Sequence, residues 1–178
     1  MKTKIEINVY NDLAVYLGES FDASRFIYNE CLRVSFDSVY RNNSVSTLRE
    51  LKNLVLRLRD KNKVLRRVPL ATLNEVARKS SFEFREWSFR NGKRPEHKYG
   101  GDFVDLLYKG DYKIRRFAGG LGVTLTAYHN EIIVEGVDLE PAEIKSVEVT
   151  VGHESSGDLP IRRYYMIFET LSEDDSII

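Results

Sequence analysis

The hydrophobic period of this chain changes near residue 100, from steps of three and four to steps of two. Apolar residues recur about every 3.6 positions on a helix and every second position on a strand, so the two halves predict different element types. Ahead of the helical stretch, Lys4-Ile5-Glu6-Ile7-Asn8-Val9 alternates polar and apolar side chains and predicts a first strand, ended by Asn11-Asp12. Strand, then helices, then strands is the order of an α+β fold. The expected form is a small β-barrel or sheet with a bundle of about three helices inserted after the first strand.

The helices differ in how clearly they are marked. Asp22 predicts an N-cap for a helix running to about Arg41, with Ile27, Cys31, Val34 and Ser38 along one face. Asn42-Asn43-Ser44 then breaks it. Thr47-Leu48-Arg49-Glu50 is a capping box, in which hydroxyl and carboxylate satisfy each other's backbone N–H. Leu48, Leu51, Val55 and Leu58 follow at helical spacing, with Arg49, Lys52, Arg57 and Arg59 off that stripe. Pro69 suits the first turn of a third helix, where its missing N–H costs nothing. That helix repeats Leu70, Leu73, Ala77, Ser80, Phe84 and Trp87 and stops at Asn91-Gly92.

Beyond it, 123–128 and 132–137 read as a hairpin around His129-Asn130. Residues 144–151 and 161–170 read as two more strands, and a short β-like piece is expected within 103–108. The expected organisation is a β domain from residues 1–20 and 99–171, a helical lobe at 21–98, and an acidic, disordered tail at 172–178.

Zero net charge hides a division of charge. Residues 25–98 hold 18 Lys and Arg against 8 Asp and Glu, whereas residues 99–178 hold 7 against 15. Such asymmetry points to a basic binding surface with an acidic counterpart; oppositely charged faces that pair with each other are the plain alternative.

Several function classes find no support. No run reaches the roughly 20 apolar residues of a membrane span, and Met1–Tyr10 has no signal-like apolar stretch, so a cytoplasmic protein is expected. The single cysteine, Cys31, can make neither an internal disulfide nor a zinc site alone, and it falls on an apolar helix face. His97, His129 and His153 lack metal-ligand spacing. Gly119-Gly120-Leu121-Gly122 is followed by no Lys-Ser/Thr and no helix, so it reads as a loop or bulge rather than a phosphate cradle. No cofactor is expected.

Three stretches in order resemble the front end of TnpB and type V CRISPR effector proteins. Asp22-Ala23-Ser24-Arg25-Phe26-Ile27-Tyr28-Asn29-Glu30-Cys31-Leu32 resembles the family's RFVYN helix. Pro69, Leu73, Ala77 and Phe84, with Gly92-Lys93-Arg94-Pro95-Glu96-His97-Lys98, resemble its second segment, with His97 where the family has Phe. Ile144-Lys145-Ser146-Val147-Glu148-Val149-Thr150 and Tyr164-Tyr165-Met166-Ile167-Phe168 resemble its strand pair. The resemblance implies a wedge domain with an inserted recognition lobe that grips guide RNA.

It does not extend to the family's nuclease. A RuvC-type site needs several carboxylates to hold two metal ions. Glu135-Gly136-Val137-Asp138-Leu139 resembles the first nuclease motif only superficially, because it precedes the strand pair instead of following it. Asp138 therefore reads as a loop aspartate, and a non-catalytic chain is expected.

The residues expected to meet nucleic acid are Arg25, Arg49, Lys52, Arg57, Arg59, Lys61, Lys63, Arg66 and Arg67, with a second cluster of Lys93, Arg94 and Lys98. Arginine suits bidentate phosphate contact and base stacking. Tyr28, Tyr99 and Tyr112 are candidates to stack on unpaired bases. Arg162 and Arg163 suit a strand-edge or salt-bridge role. The expected partner is structured or guide-like RNA. The alternative is a phage-type inhibitor or regulator that mimics or binds an RNA-guided effector. A split effector, with its nuclease on a separate chain, is a third arrangement.

Overall fold

The first strand, β1 (Lys2–Ile7), pairs antiparallel with the last, β7 (Leu159–Thr170), in a register that sets Ile5 opposite Met166. This pairing brings the two ends of the sequence into one sheet, ordered β1-β7-β6-β2. Here β6 is Ile144–Ser156 and β2 is Leu106–Tyr108. A second antiparallel sheet contains β3 (Tyr112–Phe117), β4 (Gly120–Leu125) and β5 (Ile132–Glu135), in chain order. These features come from a computed structural model that describes residues 1–156 and 159–171. With four α-helices among the described residues, the fold is α+β.

Of the two sheet forms expected, open sheets are the one observed, not a barrel. Closure would require hydrogen bonds between the outermost strands, but β1 and β2 remain edges of a four-stranded sheet. The tail at 172–178 lies outside the described residues.

The chain divides into two units, Gly18–Val104 and the segments on either side of it. The flanking unit is the sheet unit. Its core includes Leu106 of β2, Val123 of β4, Val134 of β5, Val149 of β6 and Phe168 of β7, all fully buried or nearly so. Gly119, at φ +99°, forms the β3–β4 turn, and a Cβ at Gly120 would collide with the Val134 carbonyl. The glycine run is thus the turn and opening of a strand.

The Gly18–Val104 unit is helical. α1 (Asn11–Asn42) begins eleven residues before Asp22, which lies inside it rather than capping it. Leu13, Leu17, Phe21, Ser24, Tyr28, Cys31 and Ser35 recur at helical spacing and are all buried. That continuous stripe carries the helix through Gly18 and past Asp22. α2 (Leu48–Lys61) starts at the predicted capping box, with both reciprocal hydrogen bonds formed. A single-turn α3 (Lys63–Arg66) is an addition to the expected three helices. Asn62 caps it, accepting the Val64 N–H at 2.9 Å. α4 (Leu70–Arg90) follows Pro69 directly and ends at Asn91 in the left-handed conformation, φ 55°.

The core of this unit joins Cys31 and Leu32 of α1, Leu51 and Val55 of α2, and Leu73 and Phe84 of α4. Phe36 packs edge-on against Phe84 at 5.0 Å, and Trp87 closes the cluster at 5.4 Å from both. Edge-to-face pairs at these distances contribute beyond their buried area.

Candidate nucleic-acid interface

Burial of Leu51 and Val55 turns the opposite side of α2 to solvent. Arg49, Lys52, Arg57 and Lys61 project there, and Lys63 follows on α3; all five are exposed. None of the five forms an ion pair with a described residue. They span the outer half of the helix rather than one narrow stripe, interrupted by Glu50 and Asp60. Glu50 is committed to the capping box, where the Thr47 backbone N–H and hydroxyl hold its carboxylate below the usual range.

The structure separates the other members of the first cluster from these five. Arg66 folds back along α2, its Nε donating to the Arg59 carbonyl at 3.3 Å and its Nη2 to the Asp60 carbonyl. Arg59 returns the contact, donating from Nη2 to the Arg66 carbonyl at 3.1 Å. The last carbonyls of a helix carry partial negative charge and lack intrahelical donors. Two interlocked arginines therefore close the α2–α3 corner. Arg67 donates from Nη1 to both Glu19 carboxylate oxygens at 2.9 Å. Arg25 pairs with Asp22 at 2.5 Å and donates to the Asp102 carbonyl at 3.4 Å. Sequence alone could not distinguish these arginines from the five exposed cations, because their partners lie up to 77 positions away.

The second cluster is built differently. Arg94 lies over the Phe36 and Trp87 rings, 5.0 and 5.7 Å from their centroids, so its guanidinium packs against the helical core. Lys93 pairs with Glu96 at 3.6 Å on an exposed surface. Lys98 is held by its backbone: Asn29 donates from Nδ2 to its carbonyl and accepts its N–H, both at 2.8 Å. The Lys98 ammonium lies 5.6 Å from the Tyr28 ring centroid. A groove of about 290 Å³ runs here, lined by Phe82, Glu83, Lys93 and Lys98 among others.

The tyrosine candidates also separate. The Tyr28 side chain is buried and its hydroxyl donates to Glu83; burial, then the nearby carboxylate, push its pKa upward. Tyr112 donates to the Ile144 carbonyl at 2.9 Å. Only Tyr99 of the three exposes its ring, at 73%. On α4, two exposed aromatics escaped the sequence reading: Phe82 and Phe89. Both lie off the stripe through Leu73, Ala77 and Phe84, which is the signal that would have found them.

Asp138 pairs with Arg116 at 2.5 Å, beside Glu140 on the same guanidinium. Among the described residues no group of three His, Cys, Asp or Glu side chains is placed to hold a metal ion. Arg163 pairs with Glu6 at 2.9 Å, tying β7 to β1. The sheet unit also carries a groove of about 490 Å³ lined by Glu6, Asp12, Glu131 and Glu135, with Tyr10 and Tyr128. Asp12 accepts from the Asn130 amide at 2.7 Å and the Tyr128 hydroxyl at 3.1 Å. These two bonds hold its carboxyl below the usual range.

No helix among the described residues is long and apolar enough to cross a membrane. No family model matches the sequence, and no curated protein matches it.

Proposed function

We propose that this chain is a non-catalytic RNA-binding protein whose principal contact surface is the outer side of α2 with α3. The observation that carries the reading is the set Arg49, Lys52, Arg57, Lys61 and Lys63, five exposed cations without an ion pair to a described residue. Elsewhere in the helical unit, carboxylates neutralise Arg25, Arg33, Arg67, Arg78 and Arg90. Cations left unpaired on a rigid helix are available for phosphate oxygens, and phosphate contact supplies affinity without sequence preference. The resemblance to the TnpB front end gives this surface a substrate, structured or guide-like RNA. Residues 93–98 contribute a smaller second contact through Lys93 and Lys98.

A second reading has an observation of its own. The acidic groove of the sheet unit, with Asp12 and Glu135 among its carboxylates, suits a basic protein segment better than RNA. On that reading the chain is a regulator or inhibitor that contacts an RNA-guided effector, or a subunit beside a separate nuclease chain. In either case it works in the cytoplasm, without a membrane partner.

Affinity purification of the tagged chain, with sequencing of copurified RNA and mass spectrometry of copurified protein, separates the readings. A defined RNA population that persists after protein partners are removed is the expected result. An effector complex without RNA retained by this chain would favour the second reading.

A further inference from the structure

Phe82 and Phe89 stand on the outer face of α4, 62% and 68% exposed. Seven residues separate them, which is two helical turns and about 10.5 Å along the axis. Arg85 lies between them in sequence, exposed and without an ion pair to a described residue. Phe82 also lines the groove shared by Lys93 and Lys98. Residues 75–98 hold seven Lys and Arg against four Glu, so the face is cationic. Of those four, Glu75, Glu86 and Glu96 are ion-paired with Arg78, Arg90 and Lys93, and Glu83 accepts the Tyr28 hydroxyl.

Isolated exposed apolar side chains are ordinary, and a protein interface gathers its apolar residues into one contiguous desolvated patch. Here two rings are set apart by charged side chains. That arrangement suits flat ligands taken one per ring, joined by an anionic backbone.

We infer that this face of α4 takes an unpaired stretch of RNA, with one base stacked on Phe82, another on Phe89, and backbone phosphate held by Arg85 and Lys98. The inference rests on the proposed RNA-binding function and deepens it, because it specifies single-stranded RNA at this face. Neighbouring bases in a stacked strand lie about 3.4 Å apart. Bases seated on rings about 10.5 Å apart are splayed from each other, as bases confined within a duplex are not.

The test is fluorescence anisotropy with a labelled oligouridylate and an RNA duplex of the same length. It compares the wild-type chain with Phe82→Ala/Phe89→Ala, Phe82→Leu/Phe89→Leu and Phe82→Trp/Phe89→Trp. Both rings are exposed, so all four chains should share one thermal midpoint. The alanine pair is expected to lose about tenfold or more in affinity for the single strand. The leucine pair, apolar but without a π face, should lose about as much, the tryptophan pair should bind as wild type does, and duplex affinity should stay unchanged throughout. Wild-type binding to the single strand that is indifferent to the alanine pair would overturn the inference and leave the proposed function standing. Binding to the duplex alone would do the same. Absence of all RNA binding would overturn both. Self-association of the wild-type chain, lost in the alanine pair without any effect on RNA, would assign the face to a second copy and overturn the inference.

Discussion

Asn29 is hydrogen-bonded to the backbone of Lys98 through both of its polar atoms, donating to the carbonyl and accepting the N–H at 2.8 Å each. An amide side chain carries a donor and an acceptor side by side, so it can satisfy one residue's N–H and C=O at once. The contact spans 69 positions and fixes the returning segment after α4 against α1. It therefore sets where Lys98 sits beside Tyr28 and the groove.

Replacing Asn29 by Ala leaves the Lys98 N–H and carbonyl without these partners in a partly buried place. The expected cost is about 1–3 kcal/mol in urea unfolding. Amide exchange should show the Lys98 N–H losing protection while α2 amides keep theirs. Unchanged protection at Lys98 would show that the segment is held elsewhere.

Thr47→Ala removes the hydroxyl that accepts the Glu50 N–H at 3.2 Å. N-cap loss of this kind costs about 1 kcal/mol, within a range of about 0.5–2. The start of α2 should fray, lowering the urea midpoint without altering the unfolding slope. A midpoint equal to wild type would mean that packing of Leu51 and Val55 alone fixes the helix start.

Cys31 is fully buried on α1, and burial, followed by the neighbouring Glu30, pushes its thiol up to about 12. The thiolate is the reactive form, so at pH 8 a thiol-specific reagent should label the native chain only through opening, and the urea-unfolded chain at once. The linkage has a definite sign. A folded pKa above the unfolded value of about 8.5 contributes stability that is fully present below that value and is lost as pH rises towards about 12. Tyr28 is raised in the same direction, by burial first and Glu83 second. Stability should therefore decline on the alkaline side, and less steeply in Cys31→Ala. Prompt labelling of the native chain would contradict the placement of Cys31.

What the sequence made legible follows from range. The Thr47–Glu50 box and the Leu51–Val55 stripe are local, and α2 begins where they predict. Strand alternation likewise located β1 and the pairing region of β6 and β7. The start of α1 was hidden because Asn11-Asp12 read as the end of a strand and because Gly18 and Asp22 resemble punctuation. The buried stripe from Leu13 to Ser35 outweighs both, as tertiary burial outweighs local propensity. At the candidate interface, charge counting found Arg57 and Arg59 equally. The fold then turns Arg57 to solvent and draws Arg59 into the α2–α3 corner. No local pattern encodes that difference, because it depends on where the chain turns after Lys61.

This division selects the variant for the principal measurement. Arg59, Arg66 and Arg67 hold structure or carboxylates, so changing them would mix folding with binding. Arg49, Lys52, Arg57, Lys61 and Lys63 can be changed to Ser with little effect on the urea midpoint, because exposed charges contribute little to stability. RNA affinity of the wild-type chain and of this fivefold variant should be measured across a series of salt concentrations. The expected result is a steep loss of wild-type affinity with salt, a much weaker variant, and a log–log slope shallower by about 0.7 for each single-strand phosphate contact removed. Equal affinity and equal slope in the two chains, with equal stability, would contradict the assignment of the α2 surface. A wild-type chain without RNA affinity at low salt would contradict the proposed function itself.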